Sequence, residues 1–262
     1  MKKLWMASLL ALVACASKPE RKLPQSIEEA VASSYRTEAN KARDKYRNPA
    51  KTLDFFGVKP NMTVVEIAPG AGWYMEILAP LLAEKGKYIM ATVSGTKPYQ
   101  IANEASIEAW KKKYPEVSQN METALFSPPG QINLPKKGSA DMVLTFRNVH
   151  NWMTVKGESA AFKAFYDVLK PGGILGVVEH RAAAGRTDAK SGYVAQKDVI
   201  RMATKAGFRL VATSEINANP KDSTKHPEGV WTLPPSLRLG EKDRAKYEAI
   251  GESDRMTLKF IK

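Results

Sequence analysis

The chain has 262 residues, 44% of them hydrophobic, enough to bury one full-sized core and to make one domain with an extension. Forty Lys and Arg against 27 Asp and Glu give a formal charge of +13 that is spread along the chain, which suits anionic partners such as phospholipid headgroups but reads most simply as a solvated basic surface. The single cysteine, Cys15, excludes a disulfide framework and a cysteine metal site, and the five Trp residues are not interleaved with basic clusters, so no nucleic-acid partner is expected.

Lys2 and Lys3 precede an apolar run, Leu4 to Ala14, that is too short to stay in a membrane as a spanning helix and reads as a leader. It ends in Leu12-Val13-Ala14-Cys15, which resembles the bacterial lipobox. That resemblance implies a signal peptide over residues 1–15 and a membrane anchor through a lipid on Cys15. With Ala16 and Ser17 following, and no Asp, it further implies a lipid-anchored lipoprotein of the bacterial cell envelope, on the periplasmic face of the outer membrane. Residues 16–48 read as a tether and an amphipathic helix. Ser26-Ile27-Glu28-Glu29 fits a capping box, and Ile27, Val31, Tyr35, Ala39, Ala42 and Tyr46 then recur at helical spacing, predicting about five turns that end before Pro49. The basic residues Arg36, Lys41, Arg43, Lys45 and Arg47 are expected on a solvated outer face.

From residue 49 to 262 the pattern alternates. A short helix over Ala50–Phe56 stops at Gly57. Strands are expected at 63–68, 88–93, 120–126, 141–146, 174–179, 208–216 and 255–261, with helices at 73–84, 104–113, 162–169 and 195–206. Such alternation implies an α/β fold with a mainly parallel sheet covered on both faces. Residues 217–253 are one long irregular excursion, rich in Pro, Lys and Asp, and are expected either to cover the site as a lid or to lack order.

The first strand carries the strongest signal. Val64, Val65 and Ile67 read as buried on both faces, Glu66 lies between them, and Ala68-Pro69-Gly70-Ala71-Gly72 gives a tight turn with little side chain in the way of a ligand. The dinucleotide fingerprint places its acidic residue about 20 residues after the glycines, whereas here it comes before them. The segment resembles motif I of the class I S-adenosylmethionine (SAM) methyltransferases, with Ala68 standing at one glycine position. Leu-Lys-Pro-Gly-Gly at 169–173 and Ala-Gly-Phe at 206–208 are similar to the same family. The resemblance implies a seven-stranded, mainly parallel Rossmann-like sheet with an N-terminal helical extension. It also implies SAM as cofactor, methyl transfer as the reaction, and a small-molecule or envelope-component acceptor.

Within that frame Glu66, Ala68, Gly70 and Gly72 are the expected cofactor-binding residues. The family's second acidic residue, after strand 2, is missing, and Thr92 or Ser94 is left to offer a hydroxyl. After strand 4 comes Arg147-Asn148-Val149-His150-Asn151-Trp152, where Arg147 and Asn148 are expected to border the cofactor and His150 and Asn151 the acceptor. His150 is the candidate general base. Glu179 and His180 end strand 5 beside the same edge. A metal held by His150, His180, His226 and Glu179 would satisfy ligand chemistry, but no HxxxH or HExxH spacing supports it. No metal is therefore expected, and an acid/base pair, or an ion pair of Glu179 with Arg147 or Arg181, is the expectation.

Overall fold

The computed structural model describes residues 21–93, 95–183 and 186–262. The leader, Cys15 and Ser94 lie outside the described residues. Eight strands form one mixed sheet: β1 (Thr63–Ile67), β2 (Lys87–Thr92), β3 (Met121–Ser127), β4 (Gln131–Asn133), β5 (Ala140–Phe146), β6 (Leu169–His180), β7 (Arg209–Ser214) and β8 (Arg255–Ile261). Their order is β4-β3-β2-β1-β5-β6-β8-β7. The pairs from β3 through β2, β1 and β5 to β6 are parallel, while β4, β8 and β7 join antiparallel.

Successive strand residues point to opposite faces, so β1 feeds two cores. Val64 packs with Phe56, Ile77, Leu78 and Leu81 on one side. Val65 and Ile67 pack with Phe162, Phe165 and Val199 on the other. The first side is covered by α1 (Ile27–Ala32), α2 (Glu38–Lys41), α3 (Asp44–Arg47), α4 (Pro49–Phe56), α5 (Met75–Leu82), α6 (Pro98–Lys113) and α7 (Pro115–Ser118). The second is covered by α8 (Val149–Thr154), α9 (Glu158–Val168) and α10 (Gln196–Lys205), and α11 (Arg244–Ile250) lies in the excursion. No helix among the described residues is long and apolar enough to cross a membrane.

The α/β fold expected from sequence is present, with local differences. The five-turn helix after Ser26 is broken into α1, α2 and α3. Ser26 caps α1 through Oγ, as the capping box predicts, but Ser33 turns extended and the chain folds inward. Tyr35 is 1% exposed and its carbonyl accepts the Trp110 indole N–H at 2.7 Å. The basic face is only partly solvated: Lys45 is exposed and Lys41 and Arg43 are half-buried, but Arg36 and Arg47 are each 3% exposed. Burial of one aromatic ring and a bidentate Arg36–Asp44 pair (2.6 and 2.7 Å) outweighs a straight helix whose polar side would face water. Residues 27–48 thus share the core of residues 49–262.

An eighth strand, β4, adds a short hairpin to the sheet edge, too brief to show periodicity. Strand β6 starts at Leu169 and runs through the Lys-Pro-Gly-Gly turn, with a register shift between Ala140 and Met142 on its neighbour. The polar stretch after β5 forms a helix, α8. Finally, the 217–253 excursion is fastened. Asp222, 8% exposed, accepts from the Tyr193 hydroxyl (3.0 and 2.9 Å), the Thr224 and Asp254 amides and His226 Nε2.

Candidate active site

The chain order reverses between β1 and β5, where β2 and β3 lie to one side and β6 to the other. Open α/β sheets bind ligands at the carboxyl edge of that switch point, and a cavity of about 520 Å³ lies there. Its walls come from the loop after β1 (Glu66, Ala68, Gly70), the start of α8 (Asn148, His150, Asn151), the end of β6 (His180), the N-terminal segment (Arg47) and the excursion (Trp231, Arg238).

Three residues at the cavity hold left-handed backbone: Ala68 (φ 47°), Gly70 (φ 63°) and Arg147 (φ 65°). Glycine would meet the conformational demand at position 68 freely, Ala68 satisfies it under strain, and such strain in a non-glycine residue is concentrated at functional sites. Gly70 is open: a β-carbon there would meet nothing nearer than Asn103 Nδ2 at 4.0 Å, so its backbone is free for close approach. Gly72 differs. Its φ is 87° and a β-carbon would strike Met75 Cε at 2.8 Å, so this glycine lets α5 pack and does not wall the cavity.

Glu66 is 1% exposed and faces the cavity, accepting a 2.7 Å bond from the Tyr88 hydroxyl. Desolvation pushes its carboxyl up to about 8, only partly offset by that bond. Asn148 braces the loop from the neighbouring strand: its side-chain N–H groups point at the Ile67 and Ala68 carbonyls (3.0 and 3.4 Å) and at Thr145 Oγ1. Much of its donor capacity is spent on positioning. Thr92 is not part of the cavity wall, so no side chain from the end of β2 takes the place of the missing acid there among the described residues.

Across the cavity, Glu179 is fully buried and accepts four N–H bonds. Val149 (2.6 Å) and His150 (3.4 Å) amides reach Oε2, while the His180 amide (2.8 Å) and His150 Nδ1 (3.0 Å) reach Oε1. A carboxylate at Nδ1 fixes the tautomer that leaves Nε2 as an acceptor, and His150 lines the cavity. The partner of Glu179 is therefore His150, and the expected pairing with Arg147 or Arg181 is corrected. Arg181 instead pairs with Asp254 and Glu215, on a flank of the excursion. His180 is bonded through Nδ1 to Ser253 Oγ, and its pKa is well below the usual range because of burial first and then nearby cationic groups, Arg147, Arg255 and Arg47 among them. His150, Glu179 and His180 offer ligand atoms within 4.8 Å of one another, and the bonds just named engage one nitrogen of each histidine and both Glu179 oxygens. His226 is apart from this group, tied to Asp222.

A cationic cluster closes the site. Glu252, 4% exposed, takes Arg43 Nε (2.7 Å), Arg47 Nε (3.2 Å) and Arg255 Nη2 (2.6 Å). The three guanidiniums depress its carboxyl to about 2 despite burial. Arg47 and Arg36 flank the Trp73 ring at 4.7 and 5.1 Å, and Tyr74 stacks on Phe146 with centroids 3.6 Å apart.

Of the residues singled out from sequence, Glu66, Ala68, Gly70, Arg147, Asn148, His150, Asn151 and His180 share this cavity, with Glu179 directly behind His150; Gly72 and Thr92 do not reach it. Arg47, Trp73, Trp231 and Arg238 were missed. The position of Trp73 beside the glycine turn and the length of the excursion were the available signals. Arg47 gave none, because its helical spacing suggested solvent.

No family model matches the chain, and no curated relative matches it. Solved structures do. A SAM-dependent methyltransferase from Aquifex aeolicus is similar at 18% identity and a TM-score of 0.55, over 84% of this chain and 92% of that one. The 4+2 cyclase SpnF is similar at 14% identity and a TM-score of 0.55, over 90% and 91%. Haemonchus contortus phosphoethanolamine N-methyltransferase 2, solved with SAM, is similar at 14% identity and a TM-score of 0.54, over 90% and 60%. These likenesses define the fold: the chain has the Rossmann-like fold of class I SAM-dependent methyltransferases. A cyclase among them illustrates that the fold alone does not fix the reaction.

Proposed function

We propose that this chain is a SAM-dependent methyltransferase whose acceptor binds between the β1 loop and α8. The observation that carries the reading is one shared cavity, with a strained, open turn on one wall and a histidine oriented by a buried carboxylate on the other. The residues fit the amino-acid end of SAM: Glu66 offers a carboxyl, and the Ala68 and Gly70 backbone is accessible. When bound, SAM would supply a methyl group whose bond to the sulfonium breaks as the acceptor attacks, the neutral thioether of S-adenosylhomocysteine leaving. His150 Nε2 accepts the acceptor's proton, Glu179 holds the ring and stabilises the imidazolium, and His180 remains neutral beside it. Asn148 fixes the spacing between the two walls. The Trp231 side of the excursion limits water access.

The absence of a carboxylate after β2 favours a second reading, a methyltransferase-fold binding module without turnover. The leader and its single cysteine support a location at the bacterial envelope, on the outer membrane, where the cytosolic origin of SAM demands a supply route. A basic structural lipoprotein is the reading left if no adenosyl ligand binds. Calorimetric titration of SAM, S-adenosylhomocysteine and NAD into the full-length protein separates these. Micromolar binding of the first two with NAD silent supports the enzyme; no binding to folded protein refutes it. Radiolabelled palmitate incorporation that is lost in Cys15→Ser tests the anchor.

A further inference from the structure

The arginines lining the cavity (Arg47, Arg147 and Arg238) and those behind it (Arg43 and Arg255) outnumber the carboxylates that could neutralise them. Arg43, Arg47 and Arg255 share the single carboxylate of Glu252, and Arg43 Nη2, Arg47 Nη2 and Arg255 Nε are buried without a hydrogen-bond partner. Arg147 adds a fourth guanidinium that lines the cavity and has no side-chain hydrogen bond or ion pair among the described residues, on a backbone held at φ 65°. Nearby carboxylates do not supply the missing charge: Asp44 is committed to Arg36, Asp254 to Arg181, and Glu179 to His150 and three amides, while Glu66, which lines the cavity itself, takes the Tyr88 hydroxyl and is pushed towards its neutral form by desolvation. At the rim, Arg238 lies over the Trp231 ring at 4.5 Å, unpaired with any acid among the described residues. The pKa of Arg47 is lowered by desolvation and then by Arg147, and that of Arg147 to about 10 by desolvation and then by Arg255. Arg47 is buried while Arg147 is half-buried and faces the cavity, and crowding like charges at a partly desolvated site is unfavourable unless something compensates.

SAM does not compensate. Its carboxylate can neutralise one guanidinium, while its sulfonium and ammonium bring two positive charges. From this imbalance we infer that the acceptor is itself an anion, carrying a carboxylate or phosphate group held by Arg47 and Arg147, with Arg238 guiding it at the mouth. This rests on the methyltransferase reading and adds the acceptor's chemical class. Guanidinium groups favour bidentate contact with either anion, and docking at this end leaves the rest of the acceptor to reach His150.

The test titrates inorganic pyrophosphate and, separately, citrate into the full-length protein saturated with S-adenosylhomocysteine. One site per chain for either anion is expected, weakened about tenfold or more in Arg147→Gln, with S-adenosylhomocysteine affinity changed less than about threefold. Which of the two anions binds tells phosphate from carboxylate. The ligand-free Arg147→Gln protein is also expected to melt above wild type, since an unbalanced cation has gone; a residue with a merely structural role would lower the melting temperature. If Arg147→Gln weakens S-adenosylhomocysteine as much as the anion, the arginine serves the cofactor carboxylate and the proposal is overturned. It is equally overturned if neither anion binds. If S-adenosylhomocysteine fails to bind while an anion still binds through Arg147, the methyltransferase reading falls and the anion site stands.

Discussion

Replacing Glu66 with Gln perturbs one buried carboxyl while keeping its shape and its bond from Tyr88. Burial raises this group from 4.5 to about 8, so the folded protein holds a proton that the unfolded chain has released over that interval. Stability from this group is fully present below pH 4.5 and is lost as pH rises towards 8. At about 1.4 kcal/mol per pKa unit, a span of roughly 3.5 units gives about 5 kcal/mol, as an upper bound for a cavity that water can enter. Glu66→Gln carries no such loss. Urea unfolding at pH 5, 6, 7, 8 and 9 is expected to show the variant near wild type at pH 5 and progressively more stable than wild type up to pH 8, with a flat difference beyond. A difference that does not change with pH would refute the assignment of a desolvated carboxyl. Added SAM is expected to lower the apparent pKa, because an ammonium beside Glu66 favours its ionised form.

Glu179→Gln exchanges one acceptor oxygen for a donor facing N–H groups, and is expected to lower turnover by about 10² to 10⁴ once an acceptor is known; unchanged turnover would remove the Glu179–His150 pair from the mechanism. Ala68→Gly relieves left-handed strain of about 1–2 kcal/mol against an unfolded-chain entropy gain of about 0.4–1 kcal/mol, so thermal denaturation is expected to show a small net stabilisation, and a lower melting temperature would contradict the strain. Glu252→Gln strips two buried guanidiniums, Arg47 and Arg255, and the partly exposed Arg43 of their counter-charge and is expected to cost about 3–5 kcal/mol at neutral pH. The depressed carboxyl makes that contribution present above pH 4.5 and lost as pH falls to about 2, so acid titration monitored by circular dichroism should bring wild type and variant together there.

The strand–helix alternation and the carboxyl-edge turn after β1 were legible in the sequence, while the strand order, and with it the switch point, came from the folded sheet. Val64 on one face and Val65 and Ile67 on the other are buried as their apolar run predicts, so the position of Glu66 and the turn after it followed from local pattern. The residues following β5 and β6 were legible for the same reason: polar side chains at the carboxyl edge of adjacent strands must share a crevice. Contacts between segments far apart in sequence were decided only by the tertiary structure. Glu179 has several cations within reach by sequence, and only the packing of α8 against the end of β6 makes His150 its partner. Arg47 lies 205 residues before Glu252 and reads as solvent-facing on an ideal helix. The chain breaks that helix to bury Tyr35 and Arg36, and this break carries Arg47 into the cavity. Periodicity records which residues share a face of one element, whereas burial of a charge depends on where its counter-charge lies after folding, and no local pattern carries that information.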